Sequence, residues 1–495
     1  VSWLLALLLL AVDPPGYDEL LATALQQAKA GELAPARLSL DRAILIAPGR
    51  PEAWTERCGL AFLESHYERA VADCRSSLRL QDDAYARDLL ASSLSLLGRP
   101  EEAVSEWNRL GQPRLHTLEL RGLAKTPDRL ARRELAFREG SLLEARQLRL
   151  SRARLQESGL FQRITLRPLP KGDGSADLEV ALQERHGLPG WRELLASTAA
   201  DLAFRRARLR YVDLFGTGLS AGVFTRFDSA HPGGTLSLDW PRPVGLPVYL
   251  HLEGGRGRAD YETDGKRTRI NTRGLELGLT SVVGPDTVLS GGVRWQARTE
   301  NGVTGDQDTI DLGVEQRLLE AHRQRLDAGG LLTATLPRTS PAWQRLRVGL
   351  RYRRYLAAPD DGPLQGSLLA AQVQVGQSWG APPIEALFAP AAGPDAELPL
   401  RAHPLVRDDL LGSSPRGPSL VLGNLEWRQR LIDGRAFQLG VAAFADAARV
   451  ASSTWVDVGA GLRIGVKPGT VLRLDFAHGL ADGSNAVSGG LGQSF

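Results

Sequence analysis

Few of the 495 residues have types and spacing suited to chemistry. Gly218-Leu-Ser-Ala-Gly222 has the spacing of a serine nucleophile elbow, and Gly216-Thr-Gly-Leu-Ser-Ala221 approximates a dinucleotide-binding fingerprint. Both motifs work only at a strand–turn–helix junction, where the turn lifts a hydroxyl or a row of amides toward the substrate. Here the alternating run Val223-Phe-Thr-Arg-Phe227 follows at once, so these glycines read as strand residues facing a crowded wall. The eight histidines lack metal-ligand spacing, and no lysine-bearing phosphate loop is present. No catalytic residue, cofactor or metal is expected, and the chain does not read as an enzyme. A formal charge of +3 gives no reason to expect nucleic acid. The only cysteines, Cys58 and Cys74, fall on successive predicted helices. In an oxidising compartment they would form a disulfide pinning that hairpin; as free thiols they would be two small buried side chains.

What remains is architecture. Mean hydropathy is −0.18, and no segment approaches the ~20 apolar residues of a membrane helix. The apolar run Leu4–Val12 ends before Asp13-Pro14-Pro15, which suits a secretory signal peptide over residues 1–12. Residues 16–111 read as nearly continuous helix with a 34-residue period. Gly31, Ala36, Ala43 and Pro48 answer to Ser65, Ala70, Ser77 and Asp82, and then to Gly98, Ala103 and Leu110 after a one-residue deletion. This period resembles tetratricopeptide repeats, whose stacked helix pairs leave a concave groove for a peptide or a partner helix. A periplasmic protein partner and a plain spacer role are both open for this arm.

Residues 112–187 change to strand–helix–helix–strand–strand. Leu115–Gly122 alternates, Thr126-Pro127 starts a helix, and Ser141 with Glu144 predicts a capping box opening a second helix that stops at Gly159. Phe161–Leu166 and Ala176–Leu182 alternate as strands around the turn-rich Lys171–Ser175. The Leu-Arg-Gly122 strand end, Arg138-Glu-Gly140, Ser158-Gly-Leu-Phe161 and Leu182-Gln-Glu184 resemble a polypeptide-transport-associated (POTRA) domain. That resemblance implies capture of unfolded clients by strand addition.

Residues 188–495 show no convincing long helix, only short alternating runs between Gly, Pro, Asp and Asn. In Val471–Phe476, Leu472, Leu474 and Phe476 share one face while Val471, Arg473 and Asp475 share the other. Such strands suit a wall between lipid and a watery lumen, and at ~19 residues per strand and turn they predict about 16 transmembrane antiparallel strands. Tyr211-Val-Asp-Leu-Phe-Gly-Thr-Gly218, Phe444-Ala-Asp-Ala-Ala448 and Gly459-Ala-Gly-Leu-Arg463 look like strands of the BamA/TamA-type outer-membrane barrels. Ser488–Phe495 resembles the closing strand of such barrels, with Leu491 and Phe495 as the carboxyl-terminal insertion signal. In the loop from Pro382 to Pro418, Arg401 aligns with the arginine of that family's in-folded loop tip, and Ala402 and His403 stand where glycine and an aromatic belong.

The resemblance implies that Arg401 enters the lumen, where a guanidinium needs carboxylates. Asp446 and Asp475 are the candidate anchors. The expected whole is a multidomain chain in the cell outer membrane, with helical repeats and the α/β domain in the periplasm and a β-barrel in the bilayer. It would assist insertion of outer-membrane proteins or translocation of polypeptides. Its partners would be unfolded or nascent outer-membrane or secreted polypeptides and lipid. The alternatives are a two-partner-secretion-type exporter of one dedicated substrate, and a passive pore or anchor with a scaffolding arm.

Overall fold

The computed structural model describes residues 16–171, 173–263, 266–336, 341–357, 362–394, 396–412, 414–467, 469–493 and 495. The expected leader at 1–12 lies outside the described residues. The chain divides into two compact units, one of Val1–Gly122, Leu135–Arg152 and Ile164–Leu182, the other of Leu123–Glu134, Ala153–Arg163 and Gln183–Phe495.

Among the described residues the first unit opens with six helices, α1 (Tyr17–Lys29), α2 (Leu33–Ile46), α3 (Pro51–Leu63), α4 (Tyr67–Leu80), α5 (Ala84–Leu96) and α6 (Pro100–Asn108), packed as successive hairpins. The repeat positions have identifiable jobs. Gly31, Ser65 and Gly98 all take positive φ, at 80°, 59° and 70°. Each ends the first helix of its hairpin, where the following amide bonds back to a carbonyl five residues earlier (Glu32 to Gln27, His66 to Ala61, Arg99 to Leu94). Ala36, Ala70 and Ala103 are fully buried where paired helices meet, because only a methyl fits there. A disulfide joins Cys58 on α3 to Cys74 on α4.

A three-stranded sheet follows, in the order β1 (Arg114–Arg121), β3 (Ser175–Glu184), β2 (Phe161–Pro170), with β1 and β3 parallel. Its helices differ from expectation. The first is a single turn, α7 (Asp128–Arg132), and the second, α8, runs Ala145–Glu157. The capping box is not made: the Ser141 hydroxyl donates to the Arg138 carbonyl three residues back. The helix starts only at Ala145, so Glu144 and not Ser141 stands just before its first residue, too late for the pair to cap it.

The second unit is dominated by one large sheet. Its strands are β4 (Arg206–Tyr211), β5 (Ser220–Arg226), β6 (Gly233–Pro241), β7 (Tyr249–Thr263), β8 (Lys266–Gly284), β9 (Thr287–Glu300) and the short β10 (Val303–Asp306). Next come β11 (Thr309–Ala321), β12 (Gln324–Thr335), β13 (Trp343–Tyr355) and β14 (Leu368–Gly380). The chain then leaves the wall through β15 (Ala391–Ala392), β16 (Pro399–Pro404), β17 (Val406–Arg407) and β18 (Leu410–Leu411). It returns as β19 (Ser419–Asp433), β20 (Phe437–Val450), β21 (Ser453–Val466), β22 (Thr470–Gly479) and β23 (Asn485–Leu491).

The ladders are antiparallel between chain neighbours, and β14 pairs with β19 across the excursion. The sheet curls until its last strand stands beside its first; among the described residues it counts fifteen main wall strands, with the short β10 and the β17–β18 hairpin of the excursion attached to them. Alternation sorts the two faces. On β19, Val421, Leu425 and Trp427 are exposed and Asn424, Glu426 and Arg428 are buried. On β22, Leu474 and Phe476 face out while Asp475 is buried. Among the described residues, no helix is long and apolar enough to cross a membrane.

Two expectations for this unit change. Trp191–Ala203 forms a helix, α9, in a stretch expected to hold only short alternating runs. Four alanines and three leucines in thirteen residues, with no alternation, favour helix over strand. Tyr211–Gly218 is a turn and not a strand: β4 ends at Tyr211 and β5 starts at Ser220. Asp213 takes φ 59° there, a left-handed conformation that Asp and Asn tolerate best among residues with a side chain. Its carboxylate accepts the Gly218 amide at 2.7 Å and the Thr126 hydroxyl at 3.1 Å.

Candidate functional site: a loop anchored inside the barrel

Between β14 and β19 the chain folds back against the inner wall. Phe388, Leu398 and Leu400 pack on inward-facing Leu420, Leu422, Ala448 and Val450. This apolar grip sets down β16, which runs beside β20, β21, β22 and β23 and carries Arg401 into a cluster of wall side chains. The cluster follows from period-two alternation and register. Asn424, Asp446 and Asp457 lie opposite one another on β19, β20 and β21. Glu426 and Arg428 follow Asn424 along the same face.

Arg401 is 1% exposed. Its Nε and Nη2 donate to the two oxygens of Asp446 at 2.8 and 2.7 Å, and Nη1 donates to Glu426 Oε2 at 2.6 Å. The Arg401 backbone amide adds a bond to Asp446 Oδ2 at 3.2 Å. The guanidinium carbon stands 3.4 Å from the centroid of the Phe444 ring, so the cation has both a carboxylate fork and an aromatic face. Gly459 makes room for that ring: a Cβ there would collide with Phe444 and with the Phe476 carbonyl.

Each carboxylate is shared. Glu426 Oε1 accepts from Arg463 Nη2 at 2.8 Å and Arg428 Nε at 2.9 Å. Asn424 donates to Asp446 at 2.7 Å and to the Pro399 carbonyl at 2.7 Å, and itself accepts from Gln372 at 2.8 Å. Charges taken out of water at this depth are tolerable only when so fully paired. The network ties five strands of the wall (β14, β19, β20, β21 and β22) to one loop.

The predicted site residues distribute as follows. Arg401 and Asp446 come together directly. Asp475 lies 3.9 Å from Arg401 Nη1, beyond hydrogen-bond reach, and is taken by Arg463 at 2.6 Å. Glu426, the second carboxylate on Arg401, went unassigned in the sequence. Its position two residues after Asn424 and two before Arg428 was the available signal. Ala402 is buried against Phe444 and Ala477, and its amide donates to Asp457 at 2.6 Å. His403 sits between Asp457 and Asp482, 3.2 Å from each, with its ring edge-on to Trp455. Leu491 closes the ladder opposite Leu472, and Arg428 donates to the Phe495 backbone oxygen at 3.0 Å. Cys58 and Cys74 belong to the other unit.

Farther round the wall, the interior leaves a polar cavity of about 700 Å³, lined by Asp239, Glu276, Arg294, Arg345, Glu385 and Glu397 among others. Among the described residues no group of three or more His, Cys, Asp or Glu side chains is disposed to hold a metal ion.

No protein-family model and no curated protein matches the sequence. Solved structures do resemble it. CdiB from Escherichia coli is 12% identical, with a TM-score of 0.55 over 76% of this chain and 75% of that one. CdiB from Acinetobacter baumannii is 14% identical, with a TM-score of 0.50 over 76% and 73%. BamA from Haemophilus ducreyi lacking POTRA domains 1–3 is 14% identical, with a TM-score of 0.45 over 76% and 84%. At such identities the likeness to the two CdiB structures is one of fold.

Proposed function

We propose that this chain is an outer-membrane β-barrel that inserts polypeptides into, or moves them across, the bacterial outer membrane. The observation that carries the reading is the Arg401 loop, held by buried carboxylates against the inner side of a wall whose outer side is apolar. Exposed Leu236, Leu312, Val373 and Leu425 on four separate strands fit hydrocarbon. The charged inner face fits a hydrated lumen. In this reading residues 16–111 are tetratricopeptide-type repeats and 112–187 a POTRA-type domain, both in the periplasm, where they receive clients. The exposed edges β1 and β2 of the small sheet suit capture of an extended segment by main-chain bonding.

Depleting the protein from its native cell and quantifying envelope and secreted proteins tests this. A broad fall in outer-membrane barrel proteins is the expected result for an assembly role, and loss of one secreted protein for dedicated export. Unchanged levels of every envelope and secreted polypeptide would overturn the proposal and leave a passive pore or anchor.

A further inference from the structure

Every neighbouring pair of main wall strands has an antiparallel ladder except one. Between β23 and β4, the last and first, no run of paired residues is found among the described residues. Helix α9 packs there, touching β4 on one side and β21, β22 and β23 on the other. Its two faces can be placed on the wall. Gly489 of β23 lies opposite Leu474 of β22, and opposed residues point to the same side. Leu474 is exposed on the apolar outer face, so Gly489 points outward, and the Phe204 ring lies directly over it. Arg206 belongs to the opposite face of β4, since Leu209 and Tyr211 are the exposed apolar residues of that strand. Asp201 of α9 pairs with Arg206 at 2.6 Å, with both side chains almost wholly buried. At the lower end, Glu193 accepts a bond from Thr470 at 3.0 Å.

Pinned by those contacts, α9 turns Trp191, Leu195 and Leu202 away from the protein, at 67%, 62% and 54% exposure. They recur at i, i+4 and i+11, on one stripe of the helix. The stripe continues the exposed apolar surface of the adjacent strands, Leu209 and Val223 on one side and Phe476 and Val487 on the other. Arg192 is exposed next to Trp191 at the start of the helix, where anionic headgroups would meet it. Thirteen residues rise roughly 20 Å, most of the height of a hydrocarbon core. A helix bonds its own amides, so it tolerates lipid without a strand partner.

We propose that α9 is a lipid-contacting part of the barrel wall, a helical stave filling the seam between β23 and β4, held by the Asp201–Arg206 pair, with its Trp191–Leu195–Leu202 stripe against acyl chains. The inference rests on the wall spanning a bilayer, so its test includes a wall control. The natural cysteines are both in the disulfide, so each of the variants Leu195→Cys, Leu202→Cys and Leu425→Cys offers one free thiol for a spin label. The full chain, reconstituted in phosphatidylcholine–phosphatidylglycerol vesicles, is read for collision with apolar oxygen and with a water-soluble nickel chelate. Oxygen-dominated relaxation at 195, 202 and 425 is expected. Nickel-dominated relaxation at 195 and 202 with oxygen dominant at 425 overturns the stave and leaves the barrel. Nickel dominance at all three overturns the barrel reading as well.

The joint has its own readout. Asp201→Asn is expected to raise ion leak through reconstituted protein on the order of tenfold, because it removes the charge of the carboxylate 2.6 Å from the buried Arg206 and loosens the joint between helix and strand. The exchanged pair Asp201→Arg with Arg206→Asp is expected to restore a tight wall. Leak unchanged by Asp201→Asn, or raised equally in the exchanged pair, would overturn the role given to that pair.

Discussion

At the scale of single residues, the molecule depends on how it keeps three arginines (Arg401, Arg428 and Arg463) and four acids (Glu426, Asp446, Asp457 and Asp475) inside a wall. Arg401 has two close carboxylate partners, Asp446 and Glu426, all of them nearly solvent-free. Removing one member leaves a buried charge without its mate, so Asp446→Asn and Glu426→Gln should each cost about 3–5 kcal/mol. Urea unfolding of the detergent-solubilised protein measures this. Asp475→Asn should leave the loop in place, because Asp475 is 3.9 Å from Arg401; its loss is felt at Arg463. Limited proteolysis across residues 381–418 separates the cases: Arg401→Ala should make the loop cleavable and Asp475→Asn should not. Gly459→Val should match Arg401→Ala in this assay, since the added carbons displace the Phe444 ring on which the guanidinium rests. Arg401 was legible from the resemblance of its loop, and Asp446 from that of the Phe444–Ala448 strand. Glu426 was not singled out, because nothing local to its strand says which inward acid a distant loop will meet.

At the scale of elements, local signals were clear where an element's stability is local. The helical hairpins follow from a repeated small residue, a repeated left-handed stop and a repeated buried alanine. The disulfide between α3 and α4 encloses a loop of about the length that restrains an unfolded chain by roughly 3 kcal/mol. Cys58→Ser with Cys74→Ser should lower the melting temperature of the helical arm accordingly, as followed by circular dichroism. In the small sheet, Asp177 accepts from the Thr117 hydroxyl and sits beside Lys171 and His116. These partners hold its carboxyl down to about 2, below the usual 3.8. A depressed acid lends stability above its ordinary value and loses it as pH falls through the folded one. The contribution of Asp177 should therefore be intact at pH 5 and disappear between about 4 and 2, and Asp177→Asn should flatten that part of an acid-unfolding curve. The α9 segment was missed for a reason of the same kind: the surrounding strands set the expectation, and a short alanine-rich stretch lacks a strong period of its own.

At the scale of the whole molecule, the wall is one sheet whose end strands meet without a ladder, and its loop network bridges strands from β14 to β22. A barrel so tied resists detergent, so unheated protein should run faster on a denaturing gel than boiled protein. Arg401→Ala should lower the temperature at which that shift occurs by several degrees. Equal mobility before and after boiling would count against a closed wall. By itself the sequence determined the helical character of residues 16–111 and the inward and outward faces of strands such as β22, since each depends on the period of about a dozen neighbouring residues. Only the tertiary structure decided that Glu426 and not Asp475 shares Arg401 with Asp446, and that a helix fills the seam. Those outcomes depend on register summed across many strands, and no local stretch of chain contains that sum.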